Sequence, residues 1–113
     1  MENCLFCKII RGEIPSNKVY EDEFVFAFRD IAPQAPVHVL IVPKEHMPNV
    51  LELYKHEGLA QHVAEAIEKI AKSEGVAESG FRVITNCGKD GAQSVEHLHF
   101  HLLGGTQLSE KMN

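Results

Sequence analysis

Three histidines stand at alternate positions in His97-Leu98-His99-Phe100-His101, and imidazole can serve as nucleophile, proton carrier or metal ligand near neutral pH. In an extended strand successive side chains point to opposite faces, so the three rings share one face about 6.5–7 Å apart while Leu98, Phe100 and Leu102 point the other way. An apolar anchor behind the rings holds them rigidly, which suits displacement at phosphorus: a neutral imidazole attacks, and a neighbouring imidazolium donates to phosphate oxygens. The same alternation is also how zinc enzymes gather ligands around an open coordination position, and it is compatible with a solvated face that has no task.

Other residues add candidates. Cys4-Leu5-Phe6-Cys7 has the spacing that places two thiolates on one metal, whereas a thioredoxin-like pair would follow a strand and open a long helix. Gly91-Ala92-Gln93-Ser94 is small enough for backbone N–H groups to approach an anion, though its residues also fit an ordinary turn. Asp30 reads as a carboxylate that caps a loop ahead of Pro33. His56 and His62 read as solvated positions on or near a helix, and Cys87 as a free thiol beside a turn.

The elements that must carry these residues follow from pattern. Cys4 to Arg11 predicts a short helix or knuckle closed by Gly12, and Pro15-Ser16 breaks it from a first strand near Lys18 to Tyr20. Phe24 to Arg29 alternates as a strand with one strongly apolar face, a two-proline loop runs from Asp30 to Pro36, and Val37 to Val42 is a buried β-branched strand ended by Pro43. Between Pro48 and Gly75 the pattern is helical, with Leu59, Val63, Ala66, Ile67 and Ile70 at three- and four-residue steps. Phe81 to Thr85 resumes strand, and Val95 to Leu103 is the last strand. The expectation is an α+β chain: an antiparallel sheet meander with one long helix against one face, in a single domain over 1–113.

Bulk properties narrow the function. The chain has 113 residues, 44% hydrophobic, and a formal charge of −5 from 11 Lys and Arg against 16 Asp and Glu. No basic stretch offers a footprint for DNA or RNA, although a mononucleotide remains compatible. No apolar run approaches the roughly 20 residues that span a bilayer, and the N-terminus has no signal-type segment, so a cytoplasmic protein without a membrane role is expected.

The run His97 to Leu103 fits the His-x-His-x-His-x-x pattern of the histidine triad family. Its surroundings, Asp30 to His38, Val42 to His46, Gly91 to Val95 and Leu103-Gly104-Gly105, resemble the nucleoside phosphoramidase branch, and the likeness extends from about Cys4 to Gly105. The resemblance implies a nucleotidyl hydrolase or transferase in which His99 attacks an α-phosphorus and forms a covalent nucleotidyl-histidine. His101 matches the histidine that contacts phosphate and assists the leaving group, Ser94 a hydroxyl donor to the same oxygens, Asn86 and Gln93 polar phosphate contacts, and His38 a histidine that orients the nucleophile. Asp30 matches the ribose acceptor; Leu5, Phe6, Ile9, Phe28 and Ile31 match the apolar slot for the base.

Some family members hold structural zinc with the positions matched by Cys4, Cys7, His46 and His97. With His97 so occupied, an open three-histidine metal centre is disfavoured, and chemistry falls to His99, His101 and His38, with no magnesium required. The resemblance further implies a homodimer with a continuous sheet, acting on purine nucleoside 5′-phosphoramidates with an AMP-type product. Two alternatives stand beside that reading: a dinucleoside polyphosphate hydrolase of the same family, and a non-catalytic nucleotide-binding or scaffold protein. Two departures bear on substrate preference, Glu96 where relatives often carry an aromatic, and a tail from Thr106 to Asn113 without an aromatic.

Overall fold

The computed structural model describes residues 3–112. Helix α1 (Leu5–Ile10) leads into strands β1 (Lys18–Glu21), β2 (Val25–Arg29) and β3 (Val37–Pro43); a 3-10 turn (Val50–Lys55) and the long helix α2 (Leu59–Ser73) follow, then β4 (Phe81–Thr85) and β5 (Phe100–Gly104). All five strands form one antiparallel sheet in the order β1-β2-β3-β5-β4. The first three strands meander, α2 carries the chain to the far edge, and the chain then turns inward to lay β5 between β3 and β4. The architecture is α+β, as the sequence predicts.

Each sheet face has its own cover. Val25, Ala27, Val39, Ile41, Leu98, Phe100 and Leu102 meet Leu59, Val63, Ala66 and Ile70 of α2. On the opposite face Phe26, Phe28, Leu40 and Val42 pack with Phe6 and Ile9 of α1. The sequence assigns β2 one strongly apolar face, but four of its five residues are buried. Val25 and Ala27 are small because α2 lies close above them, while the phenylalanines fill the wider space under the shorter α1.

Two boundaries differ from expectation. The sequence predicts one continuous strand from Val95 to Leu103, with three rings on one ladder; pairing begins only at Phe100, opposite Ile41 and Thr85. Residues before it find other partners: the Leu98 N–H donates to the Met47 carbonyl at 2.7 Å and the Thr85 hydroxyl donates to the His99 carbonyl at 2.7 Å. The in-and-out alternation persists without a ladder, because Leu98 still enters the core beside Phe100 and Leu102. The helical stretch is divided at Gly58, whose φ of +77° is a left-handed conformation disfavoured for residues with a Cβ. At the far end of α2 the Gly75 and Val76 N–H groups return to the Lys72 and Ala71 carbonyls, the stop the sequence places there.

Candidate active site

A cleft of about 270 Å³ opens on the α1 side of the sheet. One wall comes from α1, with Leu5, Phe6 and Ile9; the floor comes from β2 and β3, with Phe28 and its cross-strand partner Leu40. Asp30 and Ile31 form the rim, and Ser94, Val95, His99 and His101 close the end at the start of β5. The cleft is thus apolar along its length and polar at one end, the arrangement expected of a site for a ligand with an aromatic part and an anionic part.

Hydrogen bonds fix which nitrogen of each histidine carries the proton. Buried His99 donates its Nδ1–H to the His97 carbonyl at 2.8 Å, so its lone pair resides on Nε2. The Gln34 N–H donates to His38 Nδ1 at 3.1 Å, which leaves the His38 proton on Nε2. That Nε2–H lies 2.9 Å from His101 Nδ1 and 3.4 Å from an Asp30 carboxylate oxygen. His101 accepts through Nδ1 and therefore carries its own proton on Nε2. The cleft end thus holds one imidazole lone pair and one imidazole N–H, with the two rings 5.1 Å apart.

Burial, with the nearby His99 and His38 rings adding to it and Asp30 opposing, pushes His101 down to about 4, so it is neutral at neutral pH in the free protein. Burial lowers His38 for the same reason, again opposed by Asp30. A phosphate entering the cleft would counter that desolvation cost with its negative charge, favouring the protonated ring at the moment a proton is needed.

Behind the cleft, Cys4, Cys7, His46 and His97 bring their ligating atoms within 4.8 Å of one another. The Cys4 Sγ to His97 Nδ1, Cys7 Sγ to His46 Nδ1 and Cys7 Sγ to His97 Nδ1 separations are 3.3, 3.4 and 3.6 Å. Tetrahedral zinc, with sulfur at about 2.3 Å and nitrogen at about 2.0–2.1 Å, sets neighbouring S and N donors roughly 3.6 Å apart. His97 donates its Nε2–H to the Pro43 carbonyl at 2.8 Å, which leaves Nδ1 free to ligate. The four residues therefore fit zinc in number, donor type, spacing and tautomer. Asp30, His38 and His101 also lie within such a distance, but the Gln34 N–H keeps the His38 proton on the nitrogen a cation would need.

The HIT domain pattern matches residues 11–108, most of the chain. The protein belongs to the HIT family. It is 49% identical over 108 residues to the purine nucleoside phosphoramidase of Escherichia coli K12, covering 95% of this chain and 91% of that protein. It is 47% identical over 108 residues to a 14 kDa zinc-binding protein of Zea mays, covering 93% and 84%. A HIT family hydrolase from Clostridium thermocellum has the same fold, with a TM-score of 0.92 at 52% identity and coverage of 100% and 99%.

In this HIT protein the residues singled out from sequence divide by position. Leu5, Phe6, Ile9, Phe28, Asp30, Ile31, Ser94, His99 and His101 line the cleft, and His38 stands behind His101. Gln93 is committed to its loop: its Nε2 donates to the Pro48 and Val95 carbonyls, and its Oε1 accepts from the Gly88 N–H. Asn86 donates to the Gly91 carbonyl at 2.7 Å. Both side chains shape the Gly88 to Ser94 turn, in which Gly91 approaches Cys87 so closely that a Cβ would fall 2.5 Å from its carbonyl oxygen. Sequence reasoning missed Ile14, Pro15, Ser16, Arg29, Leu40 and Val95 as cleft residues; of these, the strand pattern could have offered Leu40 through its pairing with Phe28. His62, read as solvated, stacks on Phe24 at 4.1 Å, and His56 pairs with Glu45 at 2.9 Å. No helix among the described residues is long and apolar enough to cross a membrane.

Proposed function

We propose that the protein hydrolyses purine nucleoside 5′-phosphoramidates at the P–N bond through a covalent nucleotidyl group on His99. The observation that carries this reading is the His99 Nδ1–H to His97 carbonyl bond, which turns the lone pair on Nε2 toward the cleft. The Escherichia coli relative, a purine nucleoside phosphoramidase, supports the substrate class. In the first step Nε2 of His99 bonds to the α-phosphorus and the P–N bond breaks; His101, protonated beside the bound phosphate, gives its Nε2 proton to the leaving nitrogen and becomes neutral. In the second step water bonds to phosphorus, the bond to His99 breaks, and the water proton returns to His101. His101 thereby ends as it began, and His38 holds its ring in place through their 2.9 Å contact.

Phosphoryl transfer needs in-line placement and donors at the non-bridging oxygens more than a strong base. Ser94 supplies a hydroxyl there, Asn86 and Gln93 hold the turn that carries it, Asp30 accepts from the ribose hydroxyls, and Leu5, Phe6, Ile9, Phe28 and Ile31 enclose the base. Cys4, Cys7, His46 and His97 would hold zinc, a closed four-ligand centre that supplies rigidity rather than an activated water. Two further proposals accompany this reading. The exposed Phe81 and Val83 on edge strand β4 support a homodimer that continues the sheet, which sedimentation would test. The free thiols of Cys4, Cys7 and Cys87 suit a reducing, cytoplasmic setting.

The test is turnover of a fluorogenic adenosine 5′-phosphoramidate in magnesium-free buffer, with intact-mass detection of an adenylyl adduct. Wild type turns over and traps the adduct; His99→Ala does neither. Activity retained in His99→Ala overturns the nucleophile, and turnover of diadenosine polyphosphates alone overturns the substrate class.

A further inference from the structure

Helix α1 belongs to two sites at once. Cys4, whose sulfur accepts the Cys7 N–H at 3.4 Å, and Cys7 face His46 and His97, while Leu5, Phe6 and Ile9 line the cleft. Phe6 joins the two sites directly. Its ring lies edge-on to His97 at 5.9 Å, to His99 at 5.0 Å and to Phe28 at 5.6 Å, and it is almost wholly buried. A helix of six residues does not persist by its own hydrogen bonds, so its position depends on what ties it down.

We infer that metal occupancy of the Cys4, Cys7, His46 and His97 cluster and nucleotide occupancy of the cleft are thermodynamically coupled through α1, with Phe6 as the positioning residue. The inference rests on reading the cleft as a nucleotide site, and adds that its base wall is set by a metal cluster that the base does not touch. With zinc in place α1 is fixed, the Phe6 edge is held against His99, and a nucleotide enters a formed slot. With the cluster empty, α1 is held by the weak sulfur–nitrogen contacts and the packing of Phe6, Ile9 and Ile10, so a nucleotide must spend binding energy ordering it. Coupling of this kind is reciprocal: the factor by which zinc tightens the nucleotide equals the factor by which the nucleotide tightens zinc.

The experiment measures AMP affinity by calorimetry on zinc-loaded and chelator-stripped protein, and zinc affinity by competition with a chromogenic chelator at zero and saturating AMP. The expected factor is about tenfold in both directions. Phe6→Ala, which leaves all four ligands intact, is expected to retain one zinc per chain and a folded circular-dichroism spectrum while the coupling factor falls toward one. Coupling that survives in folded, zinc-loaded Phe6→Ala assigns the linkage to global stability and overturns the role of Phe6. Equal AMP affinity with and without zinc overturns the coupling alone. Failure of AMP to bind zinc-loaded protein removes the nucleotide reading and the coupling together.

Discussion

Two groups of imidazoles lie back to back across the start of β5, and they differ less in residue type than in what holds the far nitrogen of each ring. In the Cys4, Cys7, His46 and His97 group, the Pro43 carbonyl takes the Nε2–H of His97, and the lone pair is left to converge with two thiols. In the His38, His99 and His101 group, the Gln34 N–H and the His97 carbonyl set the tautomers so that one lone pair and one N–H face the cleft. Proximity alone would class the first group as a metal site and, equally, His38 and His101 together with Asp30. The backbone partner behind each ring leaves a lone pair converging on two thiols in the one and a lone pair beside an N–H in the other.

If that division is right, the two groups separate under mutation. His99→Ala is expected to cut kcat by at least about a thousandfold while zinc stays at one per chain by elemental analysis. His101→Ala follows with a loss of about a hundredfold in kcat/KM, larger for poor leaving groups than for good ones, which steady-state kinetics on two leaving groups would reveal. Cys7→Ser gives the converse pattern: zinc falls below one per chain and thermal unfolding moves down by several degrees, because binding a structural metal contributes to folding. Zinc loss in His99→Ala, or full zinc in Cys7→Ser, would break the comparison.

Acid acts on both groups with one sign. The folded-state pKa of His101 is about 4, and those of His38 and His97 also lie below the ordinary value of 6.5 because of burial. Between those limits the unfolded chain binds protons that the folded chain refuses, so stability is full above pH 6.5 and declines as pH falls toward 4. Denaturant titrations at stepped pH check this, and a flat profile would contradict the burial. The smallest effect is expected at Ala92, the one non-glycine among the described residues with positive φ, at 59°. Ala92→Gly should change unfolding free energy by no more than about 1 kcal/mol, relief of left-handed strain offsetting added chain freedom.

Much of the fold was legible because the residues state their periods. Leu59, Val63, Ala66 and Ile70 mark α2, and the β-branched run from Val37 marks β3. That Cys4, Cys7, His46 and His97 come together was legible because two cysteines and two histidines in the family pattern have few other uses. What escaped depends on groups shared by every residue. The Gln34 N–H and the Met47 and Pro43 carbonyls decide tautomers and end the β5 ladder, yet a backbone amide leaves no mark on sequence. The cleft wall at Leu40 and Val95 follows from strand register and from the turn after Gly91, which single-residue preferences do not specify.

The placement of β5 has one more consequence. His99 and His101 stand on or beside an inner strand, braced by β3 and β4, whereas the slot facing them is walled by residues between Leu5 and Ser16 and the loop at Asp30. Machinery and taste are thus built from different stretches of chain. An engineer, or selection, could redraw the outer wall to admit other ligands while leaving the reaction itself untouched.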